Sequence, residues 1–415
     1  MEIKIASRLL LFSYFLVSFL IVDVLDITTW RLFLYSILNT ISLGFIYYSH
    51  ELSSIFRDII KSKVSLVIIS FIAWSLMSYF YAINGNEVLM RSMTFVNFFI
   101  SFITLYTFIL FNKPSPYQIS VLLLIHFIFL GGSSYLALYD ITRYYEYNFS
   151  FNNQLIGFYP NRNITQAVYL MHLPFIVYVL RNSKSIFMKI IASVTSVMLV
   201  NIVFLMGART SYVIFIALIL TLILLYFINK DLRKFIINTL VIFIVGFIIS
   251  TSILGTDNSA FVSNRASSID FQEESTATRL RYYKYGLNEF FSNPLIGVGT
   301  GNWKIQSIGL DKENIRSYVV PYTMHNDLLE VAVELGLIGL ILYSLIFYFT
   351  IINLWSLYHK NKSKEFILII PLALLIYLID SMINFPFTRA SQLFYLAMLI
   401  ALSQYFLKFT DEDIN

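Results

Sequence analysis

Cationic and imidazole side chains gather in the one long polar segment of an otherwise apolar chain, at about residues 256–334. In chain order, this segment carries Arg279, Arg281, Lys284, the glycine-spaced run 297–301 (GVGTG) and His325-Asn326-Asp327. Guanidinium groups bind phosphate oxygens in bidentate fashion, and an imidazole can take a proton from a hydroxyl group near neutral pH. Glycines permit tight turns and close approach of the backbone. The segment is therefore expected to act on an anionic substrate.

Two further arginines stand in short turns between apolar runs. Arg209 follows Gly207-Ala208 with almost no loop on either side. A cation at the middle of a bilayer costs about 2.5–3.5 kcal/mol on insertion scales, so it tends to face protein or water, although near a helix end it can reach the lipid headgroups instead. Both interpretations stay open for Arg209, whereas headgroup contact is favoured for Arg389, in the turn 384–389. A polar helix cap is likewise the alternative to a catalytic role for His325.

The composition predicts a polytopic membrane protein. The 415 residues are 58% hydrophobic and 13% charged, whereas soluble domains carry about 25% charged residues. Cysteine is absent, which excludes thiol catalysis, disulfides and thiolate metal sites. No histidine and carboxylate cluster with ligand spacing occurs on the predicted outer side, so no metal site is expected. The first apolar run follows Lys4 and Arg8 without a small-residue cleavage site, which indicates an uncleaved first helix.

Twelve apolar runs are long enough to cross about 30 Å of hydrocarbon. They fall near residues 9–25, 32–48, 64–83, 92–111, 117–139, 164–181, 186–206, 210–228, 235–254, 328–354, 366–383 and 391–408. Helices are expected, because backbone in lipid must satisfy its own hydrogen bonds and no alternating barrel pattern is present. The predicted fold class is an all-α polytopic membrane protein with about twelve transmembrane helices and one large loop between helices 9 and 10.

The distribution of cations predicts the orientation of the chain. With the N-terminus in the cytoplasm, the inner segments hold most of the lysines, and the short outer turns hold arginine and no lysine: Arg31, Arg91, Arg143, Arg162, Arg209 and Arg389. Both termini are then cytoplasmic, and the long loop faces the periplasm. The expected organisation is one integrated domain, with a nine-helix membrane region at 1–254, a periplasmic catalytic loop at 255–325 and a three-helix membrane region at 326–415.

A short amphipathic helix is predicted inside the long loop. Five apolar residues share one helical face: Leu280, Tyr283, Leu287, Phe290 and Phe291. Ser275 or Thr276 could cap its start, and Asn293-Pro294 would end it. Such a helix is expected to lie on the membrane surface. Arg279 is freer than Arg281 to point away from the apolar face.

Together these motifs resemble the O-antigen ligase/polymerase superfamily of bacterial membrane glycosyltransferases. The similar segments are 207–211 (GARTS), 278–281 (TRLR), 285–287 (YGL), 293–302 (NPLIGVGTGN), 325–330 (HNDLLE) and 334–339 (ELGLIG). Segments 161–165 (NRNIT) and 384–386 (NFP) are similar to segments of members from the Bacteroidetes. The motifs cover about residues 207–340, and the His-led one is the most specific.

The resemblance implies a GT-C-type fold and transfer of a glycan from undecaprenyl diphosphate at the outer face of the inner membrane. The acceptor would be lipid A–core in a ligase or a second lipid-linked repeat unit in a polymerase, with neither a metal ion nor a nucleotide sugar. Carried over by position, Arg209 and Arg279 would bind the diphosphate, with Arg281 as a second candidate, and His325 would act as base towards the acceptor hydroxyl. Further candidates for the substrate cleft are Arg162, Arg389, Asn326, Gly299 and Gly301.

The expected function is that of an O-antigen ligase, and the alternatives stay open. A polymerase shares the same motifs. A twelve-helix transporter or flippase is a different class, but such transporters often show two matching halves, and no charged residue is convincingly placed at the predicted midplane. A non-catalytic scaffold would tolerate loss of His325. The implied partners are the lipid-linked donor, the acceptor and membrane lipids, and no nucleic acid.

Overall fold

The computed structural model describes residues 2–21, 26–147, 149–254, 274–315, 322–360 and 364–408, and this part of the chain is all-helical, without strands. Its α-helices are α1 (Glu2–Leu16), α2 (Ile27–Tyr48), α3 (His50–Ile60), α4 (Lys63–Met77), α5 (Gly85–Asn112), α6 (Pro116–Tyr144), α7 (Arg162–Asn182), α8 (Ile186–Met206), α9 (Arg209–Ile228), α10 (Arg233–Leu254), α11 (Glu274–Ser292), α12 (Trp303–Asp311), α13 (Asp327–Lys360), α14 (Lys364–Ile383) and α15 (Ala390–Phe406). The all-α fold class predicted from the sequence is confirmed.

Nine of the described helices are long and apolar enough to cross a membrane. They are α4 with the turn that follows it (Lys63–Phe80), α5 to α9, α10 with the turn before it (Lys230–Leu254), α13 and α14. The pair α2 and α3, bent by 115°, would be a tenth span, and α15 is apolar but has only 17 residues. Each predicted apolar run overlaps a described helix, whereas the number of twelve spans stays a prediction.

Polar side chains cap several of these apolar helices. The side chains of Ser62, Asn161 and Ser185 each accept a hydrogen bond from the backbone N–H three residues on. Ser115 forms a capping box with Gln118 at the start of α6. A cap satisfies a backbone donor that the first turn leaves without a partner, and it stabilises the helix by about 1 kcal/mol. The sequence therefore determines where the chain turns.

Consecutive long helices run in alternating directions, so their starts lie at two ends of the bundle. At one end, here called the site end, Arg31 Nη1 donates to Ser391 Oγ at 3.0 Å, Arg91 pairs with Glu330 at 2.8 Å, and Thr210 Oγ1 accepts from Asn384 at 3.2 Å. At the other end, Arg8 donates to Asn112 at 3.1 Å and Tyr117 donates to Ser183 at 3.0 Å. Predicted outer arginines thus share one end of the bundle, and the side of the membrane on which that end lies stays a prediction.

Helix α13 is broken at Gly336, where the backbone takes up φ 66° and ψ −166°. The break leaves three carbonyl oxygens without helical donors. They accept other bonds: Val333 O from Val298 N at 3.0 Å, Glu334 O from Gly299 N at 2.8 Å, and Leu335 O from Trp74 Nε1 at 3.0 Å. Leu337 N in turn donates to Pro294 O at 2.8 Å. The break therefore fixes the segment 293–302 against the membrane bundle.

Helices α11 and α12 dock on α13 through a second, smaller hydrophobic core. Its buried members are Tyr282, Val298, Trp303, Met324 and Val333. The predicted helix in the long loop is present as α11, but its predicted apolar face is divided. Tyr283 and Phe290 pack on this core, whereas Leu280, Leu287 and Phe291 stay exposed. The reason is that the face towards the bundle is centred on Tyr282 and on Gly286, where a Cβ would lie 2.6 Å from Met324 Cε.

Replacing Gly336 by alanine is expected to lower the thermal unfolding midpoint of the protein in lipid nanodiscs. A conformation with φ 66° and ψ −166° is nearly restricted to glycine and costs other residues about 1–3 kcal/mol, and the new Cβ would lie 2.2 Å from the Leu295 carbonyl oxygen. The matched control is Gly44→Ala on α2, where a Cβ meets nothing within 4 Å and the midpoint should hold or rise. Equal midpoints for the two variants would contradict the structural role given to the break.

Candidate active site

His325 stands at the site end, two residues before α13 begins. Its backbone has φ 58°, in the left-handed region that few residues other than glycine adopt. The Tyr283 hydroxyl of α11 donates to the His325 carbonyl oxygen at 3.0 Å. The imidazole meets the Phe385 ring edge to face, with ring centroids 4.9 Å apart. Helix α11 and the turn after α14 therefore hold this histidine between them.

The surroundings of His325 keep its imidazole neutral. Burial and, after it, the positive charges of Arg279 and Arg389 together lower the pKa of His325 to about 4. Its Nδ1 atom is buried and has no hydrogen-bond partner within the described part of the chain. A neutral imidazole is the form that can accept a proton. Buried polar atoms normally have a hydrogen-bond partner. Nδ1 is therefore suited to accept a hydrogen bond from a substrate hydroxyl group.

Arg389 contacts the same Phe385 ring. Its Cζ is 3.7 Å from the centroid of the Phe385 ring, a cation–π distance. The residue is only 7% exposed, so the interpretation that it reaches the lipid headgroups is wrong. Burial lowers the pKa of its guanidinium to about 10, and Asp380 and Asp327 act against that shift. Its Nη1 atom is buried without a partner among the residues described.

Arg279 approaches the same histidine from α11. Its charge lowers the pKa of His325, and it also opposes the rise that burial causes in the pKa of Tyr283. Arg279 is thus near both the imidazole and the tyrosine that holds the histidine backbone. The docking of α11 on the second core brings this arginine to His325, 46 residues further along the chain.

Arg209 begins α9, after a turn in which Gly207 has φ 59°. The next residue, Thr210, accepts a hydrogen bond at 3.2 Å from Asn384, which precedes Phe385. This contact joins the start of α9 to the turn that carries Phe385 and Arg389.

Arg162 starts α7, and its charge acts on Tyr147. The Tyr147 hydroxyl donates to Leu205 O at 2.8 Å. Arg162 therefore lies beside the end of α8, next to the turn that leads to Arg209.

Other predicted site residues have structural partners. Arg281 pairs with Asp311 of α12 through Nε at 2.7 Å and Nη2 at 3.4 Å, and this hydrogen bonding raises the pKa of Arg281. Asn326 caps α13 by accepting from Leu329 N at 3.0 Å. Gly299 and Gly301 have φ 99° and 73°, and a Cβ on them would lie 2.4 Å from Ala82 Cβ and 2.9 Å from Glu87 O. Their roles in a substrate cleft stay predictions.

Sequence reasoning missed a row of buried carboxylates on α13. Asp327, Glu330 and Glu334 are spaced i, i+3 and i+7, which is the period of one helix face and the signal that could have revealed them. Their contacts are Asp327 Oδ2 with Phe387 N at 3.0 Å, Glu330 Oε2 with Met324 N at 2.8 Å, Glu330 Oε1 with Arg91 Nη2 at 2.8 Å, and Glu334 Oε1 with Trp303 N at 3.1 Å. These bonds hold the residue before His325, the turn after α14 and the start of α12 against α13.

Removing a positive neighbour should raise the pKa of His325. Burial, Arg279 and Arg389 all disfavour the imidazolium, so Arg279→Gln and Arg389→Gln are each expected to move the pKa from about 4 upwards, towards the ordinary histidine value of 6.5. NMR titration of the histidine ring in nanodiscs measures the shift, with His325→Gln to assign the signal. Arg281→Gln is the matched control, because Arg281 pairs with Asp311. An unchanged pKa in both test variants would show that the two charges do not converge on the imidazole.

Comparison with known proteins agrees with the motifs that build this site. Residues 194–344 match the family model described as O-Antigen ligase, and this segment contains Arg209, Arg279 and His325. No curated protein matches the chain. The family and the apolar helices indicate a multi-pass inner-membrane protein with a glycosyltransferase-like activity of the ligase or polymerase type. The match over residues 194–344 therefore supports the resemblance of this part of the chain to the O-antigen ligase/polymerase superfamily.

Proposed function

We propose that this protein is a ligase-type glycosyltransferase, which moves a glycan from undecaprenyl diphosphate to a hydroxyl group of lipid A–core at the periplasmic face of the inner membrane. One observation carries the proposal. The neutral imidazole of His325 has a buried Nδ1 without a hydrogen-bond partner in the described residues, and the positive charges of Arg279 and Arg389 act on it. This is the arrangement that a hydroxyl nucleophile and an anionic leaving group require together.

The leaving group determines what the cations do. When the acceptor oxygen bonds to the anomeric carbon, the bond from that carbon to the diphosphate oxygen breaks, and its electron pair stays on the diphosphate. Arg279 and Arg389 stabilise the growing negative charge, and Arg209 binds the diphosphate from the start of α9. Fixed charges in a partly dry site are effective because they need no reorganisation during the reaction. In this proposal the guanidinium groups supply the charge neutralisation, with neither a metal ion nor a nucleotide sugar.

His325 acts as the general base. It takes the proton of the acceptor hydroxyl as the new glycosidic bond forms, which typically accelerates such a step about 10²–10⁴-fold. The low pKa of His325 in the free protein keeps the imidazole ready for this role. Binding of an anionic diphosphate beside the two arginines would offset their charge and make the imidazole a stronger base at the point of reaction.

The position of the site suits substrates that arrive in a membrane. It lies at the ends of apolar helices, and the adjoining helix α11 exposes Leu280, Leu287 and Phe291. An exposed apolar stripe beside a cationic site can sit at the headgroup level, where a lipid-borne diphosphate is found. The excess of lysine at the predicted cytoplasmic turns supports the periplasmic orientation of the site end.

Loss of the base or of a diphosphate ligand should abolish transfer without unfolding the protein. His325→Ala and Arg279→Ala are expected to lower glycan transfer by at least about 100-fold, because each removes a group that acts in the transition state. The measurement is transfer from an undecaprenyl-diphosphate glycan by protein reconstituted in liposomes.

The matched control for both variants is Arg143→Ala, since Arg143 is an exposed predicted outer arginine whose Cζ lies 5.4 Å from the centroid of the Tyr144 ring. The control should keep the activity of the unmodified protein, and all three variants should insert in the membrane and keep its melting temperature. Near-normal transfer by a folded His325→Ala or Arg279→Ala protein would count decisively against the proposed site.

The acceptor separates a ligase from a polymerase of the same superfamily. If lipid A–core and a second lipid-linked repeat unit compete in one reconstituted assay, the proposed ligase should modify lipid A–core and leave the lipid-linked unit unextended. Lipid products that grow by repeat units, with lipid A–core unmodified, would identify a polymerase instead.

A further inference from the structure

A cavity of about 310 Å³ lies beside the candidate active site, between α2, α5, α12 and α13. It shares walls with the site on two sides. Thr323 is two residues before His325, and Thr388 is the residue before Arg389. The cavity therefore borders the two chain segments that carry the imidazole and a guanidinium group.

The lining of the cavity is rich in hydroxyl groups and in charges that are already paired. The hydroxyl groups come from Thr28, Thr29, Thr94, Thr323 and Thr388. Two ion pairs contribute the charge, Lys304 with Glu87 at 2.5 Å and Arg91 with Glu330 at 2.8 Å. Glu334 adds a further carboxyl group. The cavity thus offers many hydrogen-bond donors and acceptors but no excess of positive charge.

The balance of charges in the cavity favours a neutral sugar over a diphosphate as its ligand. A diphosphate needs an excess of cations, and the described lining does not include Arg209, Arg279 or Arg389. A neutral sugar instead needs donors and acceptors placed around it in a confined space. The volume is at the lower end of about 300–1,000 Å³ for small-molecule sites, which suits a short sugar segment better than a lipid.

We infer that the cavity binds the neutral sugar end of the acceptor and presents its hydroxyl group to His325. The inference rests on the proposed function and deepens it by assigning the acceptor site. Glu330 is the connecting residue, because its carboxylate binds Arg91 inside the cavity and the backbone N–H of Met324, next to His325. A sugar that contacts this ion pair would touch the carboxylate that holds Met324, the residue before the base.

The first test fills the cavity and separates acceptor binding from donor binding. Thr28→Trp puts a large ring into the cavity from α2, and Thr40→Trp is the control, on an exposed part of the same helix. In the reconstituted assay, Thr28→Trp is expected to raise the KM for the acceptor at least about tenfold and to leave the KM for the donor within about twofold. A rise in the donor KM alone would assign the cavity to the donor glycan. Unchanged KM values for both substrates would show that the cavity binds neither sugar. Either result would overturn the inference.

The second test does not depend on transfer. A neutral disaccharide carrying a diazirine is photo-crosslinked to the unmodified protein in nanodiscs, and the labelled peptides are identified by mass spectrometry. The expected labels lie on the peptides of α2 and α5 and fall at least about tenfold in Thr28→Trp but not in Thr40→Trp. The 1-phosphate of the same disaccharide should label these peptides less than the neutral probe does.

The two tests fail in distinguishable ways. If the unmodified protein transfers no glycan but the labels appear as expected, the proposed function fails and the neutral sugar site stands. If transfer occurs but the neutral probe labels other peptides, or labels Thr28→Trp as strongly as the unmodified protein, the inference fails alone.

Discussion

The convergence of like charges on one uncharged base is the constraint on which the candidate site depends. Arg279 and Arg389 both act on His325, and all three are partly or largely shielded from solvent. Gathering guanidinium groups in such a place is unfavourable by itself, since each disfavours the other and disfavours an imidazolium. Asp380 and Asp327 offset part of this cost at Arg389. The remaining positive charge favours binding of an anion, and the imidazole beside it is already deprotonated.

The membrane bundle supplies the rigidity that holds these charges together. The break at Gly336 frees carbonyl oxygens of α13 to bind the segment 293–302, and that segment carries α11 and α12 onto the same helix. The buried carboxylates of α13 then bind the backbone N–H groups of Met324, the residue before His325, and of Phe387, in the turn that carries Arg389. Functional side chains are positioned best when a second layer of bonds fixes their backbone. Here most of that second layer comes from one helix.

Much of this arrangement can be predicted from the sequence, and the rest is non-local. The apolar runs predict the helices, and the motifs around Arg209, Arg279 and His325 predict which side chains to examine. The burial of Arg389 could not be predicted from the sequence. A cation at the end of an apolar run usually contacts lipid headgroups, and only the packing around Phe385 shows that this one is buried. The Arg91–Glu330 pair joins residues 239 positions apart, and no local sequence pattern predicts that the two side chains meet. Helix α12 is short and lies in a polar segment, where periodicity is a weak signal.

The most direct measurement is the response of the His325 pKa to its proposed ligand. Burial and the charges of Arg279 and Arg389 hold this pKa at about 4, and an anion bound between the two arginines would offset the part due to their charges. NMR titration of the histidine ring in nanodiscs should therefore show the pKa rising when undecaprenyl diphosphate is added, and staying in place when the uncharged alcohol undecaprenol is added. A pKa that does not move at saturating undecaprenyl diphosphate would mean that the diphosphate binds elsewhere, and the account of the site would be wrong.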